Sequence, residues 1–178
     1  MTKPLKKTAA VAMMAAVLCV CSWLTIPFTI PFTMQTFGVF CALLLLGGRD
    51  GTIAVALYLL LGAVGLPVFS GFRGGVGHLL GPTGGYLVGF LLSGLFYWIL
   101  ESGAKKRFWL RVTALAGGLL LCYAAGTVWF AVVAARGGEP RSLGTILSLC
   151  VLPYLLPDAA KLALAMLVCG RVKKSAAA

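Results

Sequence analysis

The sequence predicts an all-α integral membrane protein, a bundle of six transmembrane helices with both termini in the cytoplasm. Three observations predict this fold class: the composition, the succession of apolar segments, and the placement of the basic residues. Hydrophobic residues make up 61% of the 178 residues and charged residues only 11%. A soluble domain carries roughly 25% charged residues, so we expect this chain to lie in a lipid bilayer as one membrane domain over 1–178.

Six apolar segments supply the candidate spans. A helix needs about 20 residues at 1.5 Å per residue to cross roughly 30 Å of hydrocarbon, and the second and third segments are short by that measure. The last segment is too long for one straight helix, and Pro153 and Pro157 divide it. A short helix over 142–150 is therefore predicted before the final span. The predicted spans are 8–23, 34–47, 51–66, 84–100, 108–135 and 157–170.

The basic residues favour cytoplasmic termini. With six spans and the N-terminus inside, eleven Lys and Arg residues lie on the cytoplasmic side, among them the tract Lys105, Lys106 and Arg107. Three lie on the outer side, and Lys161 lies within a span. Lys and Arg are retained in the cytoplasm, so this bias supports the topology. The short basic tracts between apolar runs argue against nucleic-acid binding, despite the net charge of +11.

An alternative for the N-terminal segment is a cleaved signal peptide, because basic residues precede its apolar run. The segment has no convincing A-x-A cleavage site. Its removal would leave five spans and an outer N-terminus, which still obeys the charge rule.

The outer loops after the first and third spans read LTIPFTIPFT and LPVFSGFRGGVGHLLGPTGG. Irregular backbone at membrane depth is tolerated only where protein covers it or where it lines a cavity, so we expect structured loops over an outward-facing pocket. In the second loop, Arg73 is either a solvated charge or a contact for an anionic group. His78 is expected to be a loop histidine and not a metal ligand, because no second ligand is near it in the sequence.

Asp158 and Lys161 are opposite charges three residues apart in the apolar run LPYLLPDAAKLALAMLVCG. If Pro157 takes the first position of the last helix, Asp158 lies in the first turn, where a negative charge is favourable, with Lys161 on the same face. Alternatively, the pair is a ligand site, since ionisable residues within a membrane usually face a cavity. A carboxylate accepts N–H bonds, an ammonium holds a carboxylate or carbonyl oxygen, and the pair neutralises itself in an empty pocket.

Two uncharged side chains at predicted helix starts are further candidates. Gln35 either caps the second span or forms a hydrogen bond with a ligand. Tyr86 is either an interfacial anchor or part of a pocket wall. All six cysteines lie in apolar runs, so we expect buried thiols and no metal or other cofactor.

Small residues recur at four-residue spacing on two spans, a pattern that lets helices approach closely. The stripe on the fourth span predicts internal packing. The stripe on the first span is either internal or docks a partner protein. The two stripes are Gly85, Gly89 and Ser93, and Thr8, Ala12 and Ala16.

The sequence contains no familiar catalytic motif, which argues against an enzyme. A membrane enzyme acting on a lipid or lipid-linked substrate would have only Ser70, His78 and Asp158 as candidate nucleophile or base. An assembly subunit that binds no ligand is a third possibility.

Several of these segments together resemble the BioY family, the biotin-binding substrate-specific (S) subunits of energy-coupling-factor (ECF) vitamin transporters. The segments are TIPFTIPFTMQTFGVFCALLLLGGRDG, GLPVFSGFRGGVGHLLGPTGGYLVGF, GTVWF and LPDAAKLALA, in the family's order over most of 23–170. The GPTGGY loop and the D-x-x-K pattern of Asp158 and Lys161 carry the resemblance together.

The resemblance implies biotin uptake across the cytoplasmic membrane of a prokaryote. Biotin would bind near the outer face beneath the two loops, with Asp158 and Lys161 in contact with it and Gln35, Arg73 and Tyr86 as further contacts. It also implies that Ala12 and Ala16 form an A-x-x-x-A face for the transmembrane coupling subunit. Two ATP-binding subunits would supply the energy, consistent with the lack of an ATP-binding motif in this chain.

Overall fold

The computed structural model describes residues 3–27, 30–104, 108–138 and 141–177, and most of them are helical. The tract Lys105, Lys106 and Arg107 lies outside these ranges. A short antiparallel hairpin pairs Thr25 with Thr33 in the loop that follows the first helix. The elements in chain order are α1 Lys3–Trp23, β1 Thr25–Ile26, β2 Phe32–Thr33, α2 Gln35–Leu46, α3 Gly48–Ala63, α4 Val76–Leu79, α5 Gly84–Ala104, α6 Phe108–Arg136, α7 Leu143–Cys150 and α8 Leu152–Ala177.

Four stretches of the described chain are helical, apolar and long enough to cross a membrane. They are Leu5–Trp23, Gly84–Glu101, Phe108–Arg136 and Leu143–Ser175, the last of which joins α7 to α8. The helices α2 and α3 are shorter, with 12 and 16 residues.

The helices α2 and α3 follow each other without a loop, because Gly47 turns the chain with a φ of 87° that glycine adopts without strain. The first amide of α3, the N–H of Gly48, donates to Oε2 of Glu101 at the end of α5 over 2.8 Å. A carboxylate therefore satisfies one of the unpaired amides that begin a helix and ties α3 to α5.

The helices α5 and α6 pack closely because glycines lie between them. A Cβ added to Gly85 would lie 2.2 Å from Cβ of Trp129, and one added to Gly89 would lie 2.8 Å from Sγ of Cys122. Ser93 Oγ donates to the carbonyl of Gly118 across the same pair. The prediction of internal packing for this small-residue stripe is confirmed.

The helix α1 packs against α2 and α3 through one face only. Ala15, Leu18 and Ser22 on that face are buried. Ala12 and Ala16 lie on the opposite face and are exposed. Of the two alternatives for the α1 stripe, packing of these two alanines inside the chain is therefore wrong.

The start of the last helix differs from the prediction. The helix α8 begins at Leu152, and Pro157 lies inside it, so Asp158 is not in the first turn. The interpretation of Asp158 as a charge at a helix N-terminus is wrong. Pro153 is the second residue of the helix, within the first turn, where a backbone N–H has no partner inside the helix. The missing N–H of Pro157 leaves the carbonyl of Pro153 without its partner inside the helix, and the helix continues past it.

Candidate functional site

A cavity lies between the helices at the end of the bundle where α2, α5 and α8 begin. Its empty space is about 590 Å³, including the part open to solvent. Segments far apart in sequence meet there: the α1–α2 loop (24–34), the α3–α5 loop (64–83), and the helices α2, α5, α6 and α8. The polar and charged lining residues are Thr33, Gln35, Thr36, Ser70, His78, Thr83, Tyr86, Tyr123, Tyr154, Asp158 and Lys161.

Asp158 and Lys161 form a buried ion pair in the wall of this cavity. Lys161 Nζ lies 2.8 Å from Oδ1 of Asp158, and the two residues are 6% and 3% exposed. The three-residue spacing on α8 places both side chains on one helix face. A buried pair of this kind requires further hydrogen bonds to offset the loss of hydration.

The carboxylate of Asp158 has two additional donors. Thr36 Oγ1 on α2 donates to Oδ1 over 2.9 Å, and Tyr123 Oη on α6 donates to Oδ2 over 2.6 Å. Neither residue was predicted from the sequence. A signal for Tyr123 was present, because a tyrosine hydroxyl in the middle of an apolar span usually has a hydrogen-bond partner.

Lys161 also binds the α1–α2 loop. Its ammonium donates to the carbonyl of Thr33 over 2.7 Å and lies 4.0 Å from the ring centroid of Phe32. Tyr154 on α8 donates to the carbonyl of Ile30, and its ring stacks on Phe32. The helix that carries the ion pair thus holds the hairpin loop over the cavity.

Gln35 lies at the first position of α2, is buried, and does not cap the helix. Its Oε1 accepts from Thr33 Oγ1 over 2.9 Å. Its amide nitrogen donates to Tyr58 Oη on α3. Both ends of the amide are therefore oriented, and the side chain lines the cavity.

Tyr86, near the start of α5, forms part of the cavity wall. Its ring packs on Gly126 of α6, where an added Cβ would lie 2.2 Å from the ring. Its hydroxyl donates weakly to the carbonyl of Cys150 over 3.5 Å. Cys122 Sγ donates to the backbone carbonyl of Tyr86 over 3.4 Å. The cysteines are free and buried, as predicted.

Arg73 is not in the cavity. It is exposed and lines a second, wider hollow between the two loops. Ser70, His78 and Thr83 line both spaces, so they mark the neck between them. The pKa of His78 is below its ordinary value, first because burial disfavours the imidazolium and second because Arg73 repels it.

The structure thus brings four of the five predicted contact residues into one cavity and places Arg73 in its vestibule. Among the described residues, no group of three or more metal-ligating side chains is present. The cavity combines one neutralised ion pair with oriented amide and hydroxyl groups and an apolar remainder. Such a site suits a small, mostly apolar molecule that carries convergent hydrogen-bond donors and acceptors.

Comparison with known proteins agrees with this architecture. The whole chain, residues 1–178, matches the BioY family. The biotin transporter BioY of Thermotoga maritima is 39% identical over 89% of this chain and 90% of its own. The probable biotin transporter BioY of Pyrococcus horikoshii is 39% identical over 81% of each chain. The crystal structure of the S-component for biotin from an ECF-type ABC transporter superposes with a TM-score of 0.82, at 27% identity, over 98% of this chain and 95% of its own.

The fold is therefore that of an S-component, a multi-pass helical membrane protein. The chain belongs to the BioY family.

Proposed function

We propose that this chain is the biotin-specific substrate-binding subunit of an ECF transporter and serves biotin uptake across the cytoplasmic membrane of a prokaryote. The observation that carries the proposal is the buried Asp158–Lys161 pair in the wall of a cavity beneath two loops. The names of the relatives and of the superposed S-component support biotin as the ligand.

The hydrogen-bonding capacity of the pair matches a ureido ring, which offers two N–H donors and one carbonyl oxygen. A carboxylate has about four acceptor positions. In Asp158, three of these positions already accept a hydrogen bond, and one is free. One ureido N–H adds to this carboxylate, and the second displaces a present donor. An ammonium has three donors, and Lys161 uses two of them on oxygen. The third is available to the ureido oxygen or to the valerate carboxylate.

The other contacts follow from position. Gln35 and Tyr86 complete the polar and aromatic walls around the ring system. Arg73 lies in the vestibule, where its guanidinium attracts an anionic ligand toward the neck.

The proposed topology has six spans, with both termini in the cytoplasm and both loops outside. The eleven cytoplasmic and three outer basic residues support this orientation. The short α2 and α3 then cross as a closely connected pair, with Gly47 and Glu101 on the cytoplasmic side.

The exposed Ala12 and Ala16 on α1 are proposed to dock the transmembrane coupling subunit, since small residues at four-residue spacing let a second helix approach closely. Two ATP-binding subunits complete the transporter. Biotin is captured from outside as the loops close, the loaded bundle docks, and ATP-driven rearrangement of the coupling module reorients the bundle and opens the site inward.

The test is a biotin titration of the purified chain in detergent, followed by calorimetry and tryptophan fluorescence. We expect saturation near one biotin per chain and an affinity at least tenfold weaker in Asp158→Asn. The matched control is Asp50→Asn, which removes the carboxylate that lies 4.0 Å from Lys7 and away from the cavity. If the folded wild-type chain gives no heat of binding when biotin is added, and unlabelled biotin displaces no labelled biotin from it, biotin is excluded as the ligand.

A membrane enzyme remains the competing hypothesis. Within the described ranges, no hydrogen bond joins Ser70 to His78 or His78 to Asp158, so these side chains lack the nucleophile–base contact that such chemistry needs. If the chain is an enzyme, replacement of these three residues should abolish turnover and leave ligand binding unchanged. If it is the proposed transporter subunit, replacement of Asp158 should weaken ligand binding itself.

A further inference from the structure

Two tryptophans from different helices hold the two ends of the α3–α5 loop. Near the beginning of the loop, Trp23 Nε1 at the end of α1 donates to the carbonyl of Pro67 over 2.9 Å. Near its end, Trp129 Nε1 on α6 donates to the carbonyl of Gly81, also over 2.9 Å. Both acceptors are backbone carbonyls, so the bonds fix the path of the loop whatever its side chains are.

The attachment to α1 has two more contacts. Ser22 Oγ, fully buried, donates to the carbonyl of Val68. The ring of Trp23 stacks on Phe72, with 5.2 Å between centroids and 24° between planes. Phe72 is the one non-glycine residue of the described chain with φ in the left-handed region, at 56°. Consecutive residues at the end of α1 thus hold three positions of the loop in one arrangement.

The held segment contributes Ser70 to the cavity wall. Phe69 is fully buried, and an added Cβ on Gly62 would lie 2.0 Å from its ring. It packs edge-on against Tyr58, the partner of the cavity residue Gln35, and stacks on His78 at the neck. A shift of this segment would therefore move the neck and widen the opening between cavity and vestibule.

We propose that Trp23 is a positioning residue that latches the α3–α5 loop as a lid over the cavity, so that ligand escapes only after the bonds from α1 break. The ligand's identity in this inference depends on the proposed function. Ala16 lies seven residues earlier on the same helix, about 10 Å away along its axis. A tilt of α1 on docking would consequently move the residues that hold the lid.

The first test measures biotin dissociation from Trp23→Phe, which removes the indole N–H but keeps an aromatic ring against Phe72. Loss of one net hydrogen bond should raise the dissociation rate roughly 3- to 10-fold. Trp109→Phe is the matched control, because this exposed residue at the start of α6 contacts Phe108 and not the loop. Equal dissociation rates in the two folded variants would overturn the latch.

The second test needs no biotin. Ser70 lies at the neck and is buried. The reaction of a small charged thiol reagent with S70C, above the reaction of the same chain with Ser70 retained, therefore reports lid opening, because the six native cysteines are free as well. We expect faster labelling when Trp23→Phe is added and no change when Trp109→Phe is added. If wild type fails to bind biotin, the proposed function fails, but this measurement still decides the latch. Unchanged labelling in the Trp23 variant would overturn the latch while leaving biotin binding intact.

Discussion

Lys161 lies 2.8 Å from Asp158 Oδ1 and 2.7 Å from the carbonyl of Thr33. One ammonium therefore joins the charged pair of α8 to the hairpin loop that covers the cavity. A ligand that recruits this ammonium changes the hold on the loop, so ligand recognition and loop closure share a residue. The hydrogen bond from Tyr154 to Ile30 fastens the same loop independently of the pair.

Removal of one member of the ion pair should destabilise the fold. In Lys161→Met the carboxylate of Asp158 stays buried without its charged partner, which costs about 3–5 kcal/mol in the interior of a protein. The double variant Asp158→Asn/Lys161→Met leaves no unpaired charge and should recover most of the stability without recovering biotin affinity. Thermal unfolding in detergent and biotin titration measure the two effects. A double variant as unstable as Lys161→Met would contradict this account of the pair.

Loss of the Tyr123 hydroxyl should weaken biotin binding. Tyr123→Phe removes the donor on Oδ2 of Asp158, so the carboxylate is held only at Oδ1 and its second oxygen is no longer fixed toward the ligand. We expect a 3- to 10-fold weaker affinity, as for the net loss of one hydrogen bond. Tyr97→Phe is the control, because Tyr97 is buried on α5 but does not line the cavity. An affinity unchanged from wild type in Tyr123→Phe, measured by calorimetry, would show that the hydroxyl only supports the fold.

The ion pair could be predicted from the sequence because charge in an apolar run is conspicuous. The predicted start of the last helix was wrong, because two prolines four residues apart both fit a helix beginning and only the packed structure selects the earlier one. Thr36 and Tyr123 were missed because their role depends on α2 and α6 meeting α8, a long-range contact that no local pattern encodes. Arg73 was grouped with the cavity residues because loop position does not distinguish cavity from vestibule.

The stability of the chain should fall as the pH is lowered below neutrality, through His78. The folded-state pKa of His78 is below its ordinary value of 6.5, so the unfolded chain takes up a proton at higher pH than the folded chain. The stabilisation is full above pH 6.5 and declines from there down to the folded pKa. His78→Asn should therefore show a flatter dependence of the unfolding temperature on pH between about 7 and 5.

Arg73→Gln tests the second cause of the lowered pKa of His78. Without the guanidinium only burial remains, so the pKa should rise part of the way toward 6.5 and the pH dependence should weaken without vanishing. A profile unchanged from wild type in both the Arg73 and the His78 variants would assign the pH dependence to other groups.

The contact between Tyr86 and Gly126 should tolerate no added methyl group. In Gly126→Ala the new Cβ would lie 2.2–2.5 Å from ring carbons of Tyr86, and the ring cannot retreat without entering the cavity. We expect a destabilisation of about 1–3 kcal/mol together with weaker biotin binding, because the displaced ring narrows the site. Gly170→Ala on α8 is the matched control: nothing lies within 4 Å of its added Cβ, and alanine favours a helix by up to about 1 kcal/mol. Thermal unfolding and biotin titration of both variants measure these effects. Wild-type stability and affinity in Gly126→Ala would contradict the prediction, because they would mean that α5 and α6 can separate at no cost.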